Sequence, residues 1–127
     1  MIVANYSEYD QRWKDIYFAL SDAGIEVFSP GQHKGSCESR YVVVRNAGTD
    51  KLVNISSTQT VYELLLYVPI DVYTELDAFS DDVKEAMKKI YPMLISMNSE
   101  IADYVDSEKK AHMRVLQYRN NRHISNS

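Results

Sequence analysis

Cysteine is nearly missing from this chain: Cys37 is the single one among 127 residues. One thiol can neither close an internal disulfide nor build a cysteine-based zinc site, which fits a reducing compartment. Histidine is almost as scarce. His33, His112 and His123 are the three present, and no two of them stand at a metal-ligand spacing, so no metal or other cofactor is expected. No stretch approaches the roughly eighteen apolar residues of a membrane-spanning helix. The opening MIVANYSEYD also lacks the basic region and apolar run of a secretory leader. The expectation is a cytoplasmic protein with no membrane anchor. With only three prolines and four glycines, each becomes a punctuation mark between elements. Internal repeats and low-complexity tracts are absent as well.

What is present is an ordinary globular composition, 45% hydrophobic and 25% charged, in a length that fits one core and therefore one domain over residues 1–127. The run Thr60–Pro69, TVYELLLYVP, is short, apolar and closed by proline, the pattern of a strand buried on both faces and central to its sheet. After it Val72, Leu76, Phe79, Val83, Met87 and Ile90 recur at intervals of three and four, which predicts a helix over 72–91 with one face packed on that strand. Tyr91-Pro92 ends it. An earlier stripe, Tyr6, Tyr9, Trp13, Ile16, Tyr17 and Leu20, predicts a first helix over Tyr6–Ala23, stopped at Ala23-Gly24. Its aromatic residues suit an interface, although core packing is the commoner use of such a stripe.

Between and beyond these helices lie shorter segments. Ile25–Phe28, Tyr41–Arg45, Met93–Met97 and His112–Arg119 read as strands, the last two paired with each other. Leu52–Ile55 with Ser56, Ser57 and Thr58 reads as a further strand or the mouth of a hairpin. Ser29–Arg40 reads as a mobile loop, Asn46–Thr49 as a turn, Asn98–Lys109 as a polar loop and 119–127 as a frayed tail. The fold class that follows is α+β: an antiparallel sheet of about five to six strands with two main helices on one face.

Charge is unevenly spread. From Lys109 to Ser127 there are five basic residues and no acidic one, whereas the remaining 108 residues carry nine basic against eighteen acidic, a net of −9. A basic end on an acidic body fits a nucleic-acid arm, head-to-tail contact with a second copy, or an edge strand that resists aggregation. A pI near 5.3 argues against a nucleic-acid specialist. His33 and Cys37 lie four apart in a loop, yet no orienting group or oxyanion hole accompanies them, so catalysis there is not expected. Gly31-x-x-x-Gly35-Ser36 lacks the lysine of a phosphate-binding loop. The acidic-then-basic order along 75–89 is what the helix dipole favours.

Two stretches carry a family resemblance. Tyr104-Val105-Asp106 through Lys110-Ala111-His112 to Tyr118-Arg119 resembles the closing segment of small tailed-phage and prophage tail-completion proteins. Gly24-Ile25-Glu26-Val27-Phe28-Ser29-Pro30-Gly31 before Tyr41-Val42-Val43-Val44 is similar to their opening strand and loop. The resemblance implies a non-enzymatic tail terminator that forms a ring, often a hexamer, between tail tube and head. Its partners would be further copies of itself, the tail tube, and head-completion or connector proteins, with no membrane. It would reside in the host cytoplasm during assembly and then in the virion tail. On that reading Arg114, Arg119 and Arg122 are basic interface contacts and the loop around His33 and Lys34 is a second patch. Reversing Arg114 and Arg119 should then leave a folded monomer that cannot assemble. The alternative is a small nucleic-acid-binding or regulatory domain using the basic C-terminal segment.

Overall fold

The 3.6-residue periodicity of 72–90 forms a helix in the computed structural model, which describes residues 10–51, 57–98 and 101–123, with backbone alone at 50–51, 57–58 and 121–123. Helix α1 is Gln11–Asp22 and helix α2 is Glu75–Met87, the latter flanked by 3₁₀ turns at Ile70–Val72 and Lys88–Ile90. The strands are β1 (Val27–Phe28), β2 (Tyr41–Lys51), β3 (Ser57–Pro69), β4 (Ile95–Ser96), β5 (Tyr104–Asp106) and β6 (Ala111–His123). They make one six-stranded sheet in the order β1-β2-β3-β6-β4, with β5 also on β6. The fold is α+β, as expected. Its sheet is mixed, however, because β1 runs parallel to β2 while the other four pairings are antiparallel.

β3 is the central strand. Its even-numbered residues Tyr62, Leu64, Leu66 and Val68 are buried against the helices. There they meet Ile16 and Leu20 of α1 and Leu76, Phe79, Val83 and Met87 of α2, the stripes that both periodicities single out. The opposite face is buried at one end only, where Tyr41, Tyr67, Ala111 and Met113 form a second cluster with Cys37. Further along that face Val43, Leu65 and Val115 are half-buried, followed by a polar row in which Glu63 accepts from Arg45 Nε at 2.7 Å and from Gln117 Nε2 at 2.9 Å.

The ends of α1 are set by named bonds. Asp10 caps its start, accepting from Trp13 N at 3.2 Å and from the Tyr62 hydroxyl at 2.8 Å, which ties the helix to the central strand. At its other end Ile25 N returns to Leu20 O at 3.0 Å while Gly24 takes φ +82, the left-handed stop. The expected helical stripe at Tyr6 and Tyr9 and the expected strand as far as Ser56 lie outside the described residues, while the last two residues of that strand, Ser57 and Thr58, are the start of β3.

Four expectations are corrected. Asn46–Thr49 is not a turn: the strand continues through it by a bulge, with Gly48 N–H donating to Asn46 Oδ1 at 2.8 Å and Gly48 at φ +128. Asn98–Lys109 contains a strand, β5. The tail does not fray at 119, since β6 stays paired with β3 as far as His123. The loop Ser29–Arg40 is pinned. It is the crossover that the parallel β1–β2 pair requires, and it lies over the second cluster, where Cys37 N donates to Lys109 O and Lys109 Nζ donates to the carbonyls of His33 (2.9 Å) and Gly35 (3.2 Å).

Candidate functional site

His33 of the crossover packs inward. Its ring stacks on Tyr41 with centroids 4.0 Å apart, Tyr41 stacks on Tyr67 at 4.8 Å, and Phe28 meets both His33 and Tyr41 edge-on. Burial lowers the His33 pKa, and the Lys109 ammonium 3.2 Å from Nδ1 lowers it further, so the imidazole is neutral with Nδ1 accepting. Cys37 belongs to the same cluster. Burial, partly offset by Lys109, pushes its thiol up to about 11, so it stays protonated at neutral pH with Ser39 O 3.3 Å from Sγ. Lys34 alone of this group points outward.

The Tyr41 hydroxyl in that stack is buried and meets no hydrogen-bond partner among the described residues. A buried hydroxyl without a partner carries its desolvation penalty uncompensated. Tyr41→Phe is therefore expected to raise the unfolding free energy by up to about 1 kcal/mol. Denaturant midpoints measure this, and a loss of similar size would reveal a bond at that oxygen.

The basic residues of the C-terminal segment do not form one surface. Arg114 and Arg119 are an odd number of positions apart on β6 and so look to opposite faces of the sheet. Arg114 sits on the helix face and is consumed within the fold. Its Nε reaches Asp103 Oδ1 at 2.8 Å, and its Nη2 reaches Asp103 Oδ2 at 2.9 Å and Asp77 Oδ1 at 2.8 Å. That fork holds the Asp103 carboxyl below its ordinary pKa and keeps the guanidinium charged. Arg119 lies on the helix-free face, opposite Val61 and Ile95 in register, with no polar partner among the described residues. The backbone of Arg122 pairs with Thr58, and its side chain lies outside the described ones. An arginine held by two carboxylates offers little to phosphate, which weakens the nucleic-acid alternative.

What the residue pattern alone does not pick out is where exposed apolar area gathers. Among the described residues seven large apolar side chains are exposed, and five of them, Ile70, Tyr73, Ile101, Tyr104 and Val105, belong to one corner around β5. His112, opposite Val105 in register, organises the corner: its ring lies 4.6 Å from that of Tyr73, and its Nε2 donates to Ile70 O at 2.9 Å. Tyr73 Oη in turn donates to Asp103 at 3.3 Å. β5 is itself an edge strand. The available signal was Tyr104-Val105, two strand-favouring residues in polar surroundings, too short to register as periodicity.

At the sheet's other edge, β1 covers β2 only at Val42 and Val43. The next outward carbonyl, Val44 O, is taken by the Trp13 indole N–H at 2.8 Å. Beyond it β2 has no strand partner on that side among the described residues. Alongside runs a groove of about 650 Å³ between α1 and this edge, floored by Trp13, Tyr17, Phe18, Val27 and Pro30. Trp13 and Tyr17 stack at 5.6 Å, Tyr17 and Phe18 meet edge-on at 5.4 Å, and Phe18 is 52% exposed. The aromatic stripe of α1 thus serves the core through Ile16 and Leu20 and the groove through its other side.

Among the described residues no three His, Cys, Asp or Glu side chains come together to hold a metal ion, and no helix is long and apolar enough to cross a membrane. In comparison with known proteins, no family model matches the chain and no curated protein matches it.

Proposed function

We propose that this protein is a non-enzymatic assembly component that associates with further copies of itself into a ring, the role that its resemblance to tail terminators of tailed phages implies. One observation carries the reading: among the described residues neither β2 beyond Val43 nor the outer side of β5 has a further strand partner, and each of these edges is flanked by exposed aromatic and aliphatic side chains. Exposed apolar sheet edges are otherwise avoided because they invite association. Two different edges on one molecule give a contact that repeats in one direction and closes into a ring when the rotation between copies allows it. In the virion reading such a ring would stack on the tail tube and meet head-completion or connector proteins, after assembly in the host cytoplasm.

Sedimentation velocity and light scattering across protein concentration test this, with negative-stain images of any large species. Expected are particles several times the 14.6 kDa chain mass, ring-shaped in projection and persisting at high salt, since apolar area outweighs charge at both edges. A monomer at every concentration and salt would overturn the proposal.

A further inference from the structure

We infer that the crossover Ser29–Arg40 is a proton-sensitive latch: protonation of His33 expels the Lys109 ammonium and bares the cluster beneath, Cys37 included. The closed state depends on that ammonium. Lys109 Nζ donates to His33 O at 2.9 Å and to Gly35 O at 3.2 Å, and lies 3.2 Å from His33 Nδ1. An ammonium has protons to give and no lone pair to offer, so the last contact exists only while Nδ1 is unprotonated and accepts. Cys37 N on Lys109 O completes the clasp between the crossover and the turn that joins β5 to β6. Under it Cys37 is 5% exposed and Tyr41 1%.

A proton on Nδ1 turns the acceptor into a donor and sets two cations side by side. Of the charged groups facing the ring, Lys109 opposes the imidazolium, as burial does, whereas the Glu26 carboxylate just before β1 favours it and is the weakest of the three influences. Phe28 of β1 and Tyr41 of β2 meet the ring with their own rings. Burial pushes the Tyr41 phenol up and the Cys37 thiol up to about 11, so both stay neutral through mild acid. Asp106 accepts from Lys109 N at 3.2 Å, which anchors the backbone of the turn and leaves Nζ to move. Stacking of an imidazolium on Tyr41 offsets part of the repulsion, but it does not restore the lost acceptor. Lys109 is the partner that yields, because its flexible four-carbon stem can carry the ammonium into water. The carbonyls of His33 and Gly35 then lose their donor. Closure is therefore complete above the ordinary imidazole value of 6.5 and weakens as pH falls below it toward the lowered value of the closed state.

Thiol exchange at Cys37 reads the latch. The probe is 4,4′-dithiodipyridine, which reacts in mild acid, and each rate is divided by that of the urea-unfolded chain at the same pH so that the thiol's own titration cancels. At concentrations where the chain is monomeric, the ratio is expected to rise several-fold from pH 7.5 to pH 5 with unchanged far-UV circular dichroism. A ceiling of about thirty-fold is set by an unfolded imidazole value of 6.5. Lys109→Met, with no ammonium to clasp or to repel, is expected to show the raised ratio already at pH 7.5 and little further rise. His33→Phe keeps a ring in the stack and removes the proton site, so its ratio should stay flat. A flat ratio in the natural chain overturns the latch, as does a Lys109→Met ratio no higher than the natural one at pH 7.5. A rise that persists in His33→Phe would overturn it too, by assigning the acid opening to another group.

Discussion

Arg114→Glu is expected to lower the unfolding free energy by about 3–4 kcal/mol, toward the range for breaking a buried ion pair from one side. The substitution puts a third carboxylate where Nε and Nη2 now meet Asp103 and Asp77. Arg114 and Asp103 each keep about a fifth of their side-chain surface open to water, so solvent relieves part of the repulsion and the upper end of that range is not reached. Arg114→Ala should cost roughly half as much, by leaving Asp103 without its fork. The pH dependence separates the variants. In the natural protein Arg114 depresses the Asp103 pKa, so the stabilisation is complete above the unfolded carboxyl value of about 4 and is lost as pH falls through the lower folded value. In Arg114→Ala that acid-side loss should shrink. In Arg114→Glu the crowded carboxylates bind protons more readily when folded, so the variant should gain stability as pH falls from 7 toward 5. Urea unfolding at the two pH values reads this directly, and a cost under about 0.5 kcal/mol at pH 7, the size of an ordinary surface substitution, would remove the ion-pair account.

That expectation replaces the one drawn from charge along the chain, in which reversing Arg114 and Arg119 spares the fold and blocks assembly. Reversal at Arg114 damages the fold itself, so failure of such a double variant to assemble would say nothing about an interface. The sequence could not reveal this, because Asp103 and Asp77 lie 11 and 37 residues away and only the pairing of β5 with β6 and the packing of α2 bring them to Arg114. The same non-locality hid β5, whose three residues are too few for a period of two to show, and the far half of β2. There Asn46-Ala47-Gly48-Thr49 carries every local mark of a turn. Pairing with Thr60–Tyr62 overrides it by absorbing the extra residue in a bulge.

The helices and the central strand were legible because their signals are periodic. Leu76, Phe79, Val83 and Met87 state one face of a helix whatever they pack against, and the run to Pro69 states a strand and its end. The site was less so. An aromatic stripe on α1 announces a hydrophobic helix but not which residues turn to the core and which to a groove; that division comes from β1 stopping at Phe28, so that among the described residues β2 has no strand partner on that side beyond Val43. His33 had the look of an exposed loop histidine, and became part of a stack only because the crossover of a parallel strand pair must lie against the sheet.

Leu66→Ala and Leu65→Ala differ by one step along β3 and should differ several-fold in effect. Leu66 is fully buried on the helix face, between Val42 and Arg114 in register, and α1 and α2 are held by too many other contacts to collapse into the space. Truncation there is expected to cost about 3–5 kcal/mol, a third or more of the roughly 5–15 kcal/mol that holds a domain of this size together. Leu65 faces away from the helices and is half-buried in the row with Val43 and Val115. Truncating it removes less buried area and leaves no enclosed cavity, so about 1 kcal/mol is expected. Guanidinium unfolding at concentrations where the protein is monomeric measures both. The comparison also bears on assembly. If the Leu65 cost rises toward that of Leu66 as protein concentration increases, the helix-free face is being covered by a second copy. If it stays near 1 kcal/mol while assembly proceeds, association runs through the sheet edges and leaves that face open.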